Sequence, residues 1–168
     1  MAQFLQGVSP TQVDTVAQFT LGTECRDPRA RDFSNNIIRY VKAGSNIALG
    51  DSLIASTSDA DEPNTLTPTS AIQQSIVGIA HVAIASGSFG WVTTKGRVAS
   101  AKAAASTAAG ARLGSSASAG VLTTLTQADS NFTSNDYFEL LSYAMSPVIA
   151  LDANDSNGAN IEVFLGQG

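Results

Sequence analysis

The sequence predicts an all-β chain, a small β-barrel or sandwich with an extended N-terminal arm. Three observations carry this. Short runs of β-branched and aromatic residues recur between clusters of Gly, Asn, Asp and Ser, the alternation of strands and turns. Residues 76–98 set Ile76, Val77, Ile79, Val82 and Ile84 before the glycine-rich Ser86-Gly87-Ser88-Phe89-Gly90, and Trp91-Val92-Thr93-Thr94 follows. That order is strand, hairpin loop, strand, with the first strand apolar on both faces and Gly96 marking a bulge or turn. Finally, 43% of the 168 residues are hydrophobic and only 14% are charged, enough apolar material for one domain with its own core.

Residues 1–20 form the arm. Phe4, Leu5, Val8, Val13, Val16 and Phe19 are scattered among Gln and Thr and broken by Ser9-Pro10. Residues 11–17 can make one helical turn, but the rest reads as extended chain. Its apolar side chains need a surface to lie on, and a neighbouring subunit could supply it. Residues 21–168 form the β domain. It opens with a polar loop to Phe33, and Asn35-Asn36 turns the chain into a strand, Ile37-Ile38-Arg39-Tyr40-Val41. Leu53-Ile54 follows the turn at Gly50-Asp51. Residues 55–71, with three acids and two prolines, read as a solvated loop.

After the central hairpin, residues 99–120 are all Ala, Ser, Thr or Gly except Lys102, Arg112 and Leu113. Alanine content favours helix, but before Leu113 no large apolar residue anchors a helix face, and Gly110, Gly114 and Gly120 punctuate the run. Extended strands and turns are the preferred reading, a short helix the alternative. Residues 121–126 suit a strand, 128–136 a polar loop, and 137–145 either helix or strand. Val148-Ile149-Ala150-Leu151 is a strand and residues 152–158 a turn. The last strand alternates Ile161, Val163 and Leu165 with Glu162 and Phe164.

An internal echo runs through this order. Gly50-Asp51-Ser52-Leu53 returns as Gly110-Ala111-Arg112-Leu113. Val82-Ala83-Ile84-Ala85, loop, Trp91-Val92-Thr93-Thr94 returns as Val148-Ile149-Ala150-Leu151, loop, Ile161-Glu162-Val163-Phe164. The echo suggests two similar β-meanders closing one barrel or sandwich.

Composition narrows function. A net charge of −5 argues against a nucleic-acid partner. Arg26, Arg29 and Arg31 cluster with Asp27 and Asp32, either a solvated loop with local ion pairs or a docking patch for an acidic protein surface. Residues 1–6 lack the pattern of a secretory leader, and no apolar run approaches the roughly 18 residues that span a membrane, so synthesis in a cytoplasm and no membrane partner are expected. One cysteine, Cys25, allows no internal disulfide; Arg26 beside it could lower its pKa, though a buried, inert thiol is the simpler reading.

Candidate chemistries were tested against their requirements. Gly50-Asp51-Ser52-Leu53 spells the signature of the GDSL hydrolases, whose serine needs a histidine base in a C-terminal Asp-x-x-His. The single histidine, His81, stands in a strand-like run without that motif and reads as a hydrogen-bonded core or barrel-end residue. One histidine and one cysteine cannot assemble a His/Cys zinc site in one chain. Residues 152–158 are rich in oxygen ligands but depart from the EF-hand loop. No catalytic residue, cofactor or metal is expected.

The runs Phe19-Thr20-Leu21-Gly22-Thr23, Tyr40-Val41-Lys42-Ala43 and Ile47-Ala48-Leu49-Gly50-Asp51-Ser52-Leu53 resemble the opening of small head-associated proteins of tailed bacteriophages. Val77-Gly78-Ile79-Ala80, Ala85-Ser86-Gly87-Ser88-Phe89-Gly90-Trp91-Val92 and residues 105–113 continue the likeness, as does the closing hydrophobic strand. The resemblance, one of pattern from about Phe19 onward, implies a capsid decoration or cement protein. Such a protein would bind the major capsid protein on the outside of the virion, pairing with itself as a homotrimer over local three-fold axes or bridging capsomers. The implied grip is the arm, and the expected capsid or subunit contacts are Phe4, Leu5, Val8, Val13, Phe19, Arg26, Arg29 and Arg31. A head-fibre base or a tail knob binding a host glycan is the alternative; it wants an exposed aromatic platform, with Trp91, Tyr137 and Tyr143 as candidates.

Overall fold

A computed structural model describes residues 8–27, 36–56, 64–71, 75–125, 148–154 and 160–166. Among these, every regular element is a strand: β1 Val13–Asp14, β2 Glu24–Arg26, β3 Ile37–Ala43, β4 Ser52–Ala55, β5 Thr65–Pro68, β6 Gly78–Ala80, β7 Phe89–Lys102, β8 Arg112–Ser115, β9 Leu122–Thr124, β10 Val148–Ala150 and β11 Asn160–Leu165. The fold is all-β, as the residue pattern requires.

Two rings of strands share β7, which runs for 14 residues. In the first ring β3 pairs parallel with β5 and antiparallel with β7, while β4 joins β5 to β6 and β6 pairs with β7. Five strands therefore close on themselves, leaving no open edge within the ring. In the second, the latter half of β7 pairs with β11, then β10, β8 and β9. A parallel bridge between Ala103 and Leu122 brings β9 back to the end of β7. It repeats the parallel pairing of Ala43 with Leu66 in the first ring.

The turns repeat as closely. Gly50 and Gly110 both have φ of 80°, a conformation that a Cβ would strain. The Gly50 amide donates to Ala80 O at 3.0 Å and the Gly110 amide to Ala150 O at 2.9 Å. The bridge between Ile47 and Ile84 in the first barrel has its counterpart in the Asn154 amide donating to Thr107 O. The internal echo is thus a duplication of structure, with two corrections. The first copy closes as a five-stranded barrel, and the second returns to the end of the shared strand through the Ala103–Leu122 bridge, because β7 is long enough to serve both. The strand that answers Val148-Ile149-Ala150 is Gly78-Ile79-Ala80, for both pair with the Gly-x-x-Leu strand in the same register; Val82-Ala83-Ile84-Ala85 lies beyond it.

Three cores follow from strand alternation. Val41, Ala43, Leu53, Leu66, Ala80, Ile84 and Val92 fill the first barrel. Val98, Leu113, Leu122, Val148, Ala150, Ile161, Val163 and Leu165 fill the second, and Ile79 packs against them from the first. A third cluster, Val8, Cys25, Ile38, Tyr40 and Trp91, lies outside the first barrel.

Two further expectations change. Residues 64–69, read as solvated loop, contain β5, with Thr65, Leu66 and Thr69 all 0% exposed. Leu66 is the one large apolar residue in that stretch, too sparse a signal for a strand that β3 and β4 hold in place. The 76–84 run is a strand only over β6. In residues 99–120 the extended reading holds: β7 continues to Lys102 and β8 follows. Residues 137–145 lie outside the described residues.

The barrels are stitched at the Gly50-Asp51 turn. Lys102 Nζ lies 2.6 Å from Asp51 Oδ1, Asp51 Oδ2 accepts from the Ala48 amide at 2.7 Å, and the Lys102 amide donates to Gly50 O at 2.9 Å. Midway along β7, Gly96 has φ of 105° where the strand passes from one barrel to the other. Asn36 clasps that point: its Nδ2 donates to Arg97 O and its Oδ1 accepts from the Arg97 amide, both at 2.8 Å.

Candidate contact surface

The N-terminal segment from residue 8 lies on its own barrel. Val8 is 5% exposed, and the turn at Ser9-Pro10 closes with the Gln12 amide donating to Ser9 O at 2.9 Å. β1 then pairs with the start of β7, Val13 opposite Gly90 and Asp14 opposite Phe89. Tyr40 anchors the strap from below. Its hydroxyl donates to Asp14 Oδ2 at 2.7 Å and accepts from the Gln18 amide at 3.2 Å. Phe19 sets its ring edge-on to both Tyr40 and Trp91, with centroids 5.2 Å away in each case. Trp91 is fully buried, and its indole N–H meets no acceptor among the described residues.

The strap continues into β2. The Gly22 amide donates to Tyr40 O and the Tyr40 amide donates to Thr23 O, and Glu24, Cys25 and Arg26 pair with Arg39, Ile38 and Ile37. Arg39 and Glu24 form an ion pair at 2.6 Å. Cys25 is buried, and burial first, then Asp27, pushes its thiol pKa up. The buried thiol is the reading the sequence favoured; Arg26 does not lower its pKa, because on a strand neighbouring side chains point to opposite faces and Arg26 is exposed.

Of the predicted contacts, Val8 is buried and Phe19 is half-buried against the chain's own barrel. The unpaired outer face of β3 and β7, with Ile38, Tyr40, Phe89 and Trp91, needed covering and lay close at hand. Val13, 41% exposed, and Val16, 68% exposed, point outward, and Arg26 on β2 is exposed as well. Phe4, Leu5, Arg29 and Arg31 lie outside the described residues.

The other singled-out groups are engaged in holding strands together. Ser52 Oγ meets Thr69 Oγ1 at 2.9 Å, Asp51 is paired with Lys102, and His81, half-buried just after β6, is hydrogen-bonded to the Thr93 hydroxyl. His81 is the barrel-end histidine of the sequence reading. Among the described residues no three His, Cys, Asp or Glu side chains converge on one point.

One surface escaped prediction. On the second barrel Ile149, Leu151 and Phe164 are 38%, 43% and 42% exposed. The signal was present in the alternation of the last strand: Val163 and Leu165 face the core, so Phe164 between them must face out. No protein-family model matches the chain, and no curated protein matches it.

Proposed function

We propose that the protein is a structural component of a virion, a decoration or cement protein that binds the shell of the major capsid protein from outside and reinforces it. One observation supports this most. The N-terminal strap is bonded down over residues 8–20, with Val8 buried and Phe19 packed on Tyr40 and Trp91, so that Val13 and Val16 stand on a preformed strip. A strip already ordered loses little conformational entropy on docking. The resemblance to phage head proteins supplies the partner, and self-association as a trimer belongs to the same proposal. The charge-poor composition suits contacts spread over broad, apolar patches with little dependence on salt.

The glycan-binding alternative asked for an exposed aromatic platform. Trp91 is 0% exposed beneath Phe19, and Tyr137 and Tyr143 lie outside the described residues, so no observation favours it.

The test is occupancy of shells stripped of this protein. Val13→Ser with Val16→Ser leaves the buried anchors intact, unlike deletion of the arm, which would uncover Tyr40 and Trp91. Each valine that becomes buried on docking contributes about 1 to 1.5 kcal/mol. The double variant should therefore bind at least about tenfold more weakly. Unchanged occupancy would remove the strap from the interface.

A further inference from the structure

We infer that the outer face of the second barrel, centred on Ile149 and Phe164, is covered by a second copy of this chain. This deepens the self-association proposed above by naming its surface. Its failure is distinguishable from failure of the shell reading, because the strap is on the other barrel and the measurement needs only the purified protein.

The register lays out the face. Arg112 lies opposite Ile149, Ile149 opposite Phe164, and Phe164 opposite Arg97, so one row crosses β8, β10, β11 and β7. Leu151 continues the apolar part along the chain from Ile149, its amide bonded to Glu162 O. Glu162 borders the row through its ion pair with Arg97. An apolar centre with charges of both signs at its border is the anatomy of a protein interface.

The duplication argues for the occupant. The matching row on the first barrel, by the same pairings, is Ser52, Ile79, Thr93 and Ile38. All four are 0% exposed. Ile79 is covered by the second barrel, and Ile38 by the strap and Cys25. So in the first barrel this row is a docking face, and what docks there is more of this chain. The second barrel keeps Ile149 at the position of Ile79 and enlarges Thr93 to Phe164, yet within the described residues nothing seals it. A second copy offers what already fits the first row.

Sedimentation of the full chain over a wide concentration range tests this. The protein should sediment well above its monomer mass of 17.2 kDa at high concentration. Ile149→Ser with Phe164→Ser should weaken self-association at least tenfold, while Leu49→Ser, which removes an apolar residue 49% exposed elsewhere, leaves it unchanged. Burial of Trp91, read by its fluorescence, confirms that each variant is folded. Hydrogen exchange of the unaltered protein needs no variant: amides of β10 and β11 should slow as concentration rises, and those of β3 should not. A monomer at every concentration overturns the inference, as does equal association by the double variant. Protection of β10 and β11 independent of concentration overturns it too.

Discussion

Gly96→Ala tests the shared strand, on which the two-barrel architecture depends. At φ of 105° an alanine is strained, and the added Cβ would come within 2.9 Å of Asn36 Cα while striking that side chain's amide oxygen. Backbone strain of this kind costs about 1 to 3 kcal/mol. Displacing Asn36 also breaks its two hydrogen bonds to Arg97, each contributing about 0.5 to 1.5 kcal/mol. The expected loss is therefore about 2 to 6 kcal/mol, a large share of the roughly 5 to 15 kcal/mol that stabilises a typical domain. Urea unfolding followed through Trp91, the chain's single tryptophan, measures it. The second arm of the experiment is a cycle with Asn36→Ala. With the amide gone the added methyl meets less, so Gly96→Ala in that background should cost at least about 1 kcal/mol less than alone. A loss under about 0.5 kcal/mol, or strict additivity, would refute the clasp.

Other outcomes follow from the same contacts. Burial, above all, together with Asp14 and against the Gln18 amide, pushes the Tyr40 phenol up to about 12. Its folded value lies above the unfolded one, so its contribution is fully present below pH 10. It should be lost as pH rises from about 10 to about 12, by up to about 3 kcal/mol; melting temperatures across that range should show the slope, and Tyr40→Phe should remove it. Phe19→Ala should destabilise by about 2 to 3 kcal/mol and shift Trp91 emission to the red, because its edge-on neighbour is lost. An unshifted spectrum would mean that the strap does not seal Trp91. Asp51→Asn, which keeps an acceptor for the Ala48 amide but leaves Lys102 without its charge partner, should cost about 1 to 2 kcal/mol, since Lys102 is partly solvated. Thermal unfolding reads it, and a neutral result would remove the ion pair from the junction.

Much of this protein is local and could be read along the chain. The strands at Ile37, Leu122, Val148 and Ile161, the glycine turns at Gly50 and Gly110, and the alternation that points Phe164 outward all depend on near neighbours and intrinsic preference. What remained hidden depends on partners far away in sequence. β5 is a strand because β3 and β4 bracket it, and one leucine among polar residues does not announce that. Residues 8–20 lie on their own barrel because Tyr40 and Trp91, many residues downstream, present the face that Phe19 and Val8 cover. Likewise, a repeat can be seen in residues, but whether two copies close one barrel or two is decided by the reach of β7. Periodicity records which side of a strand is apolar; only packing decides what that side meets.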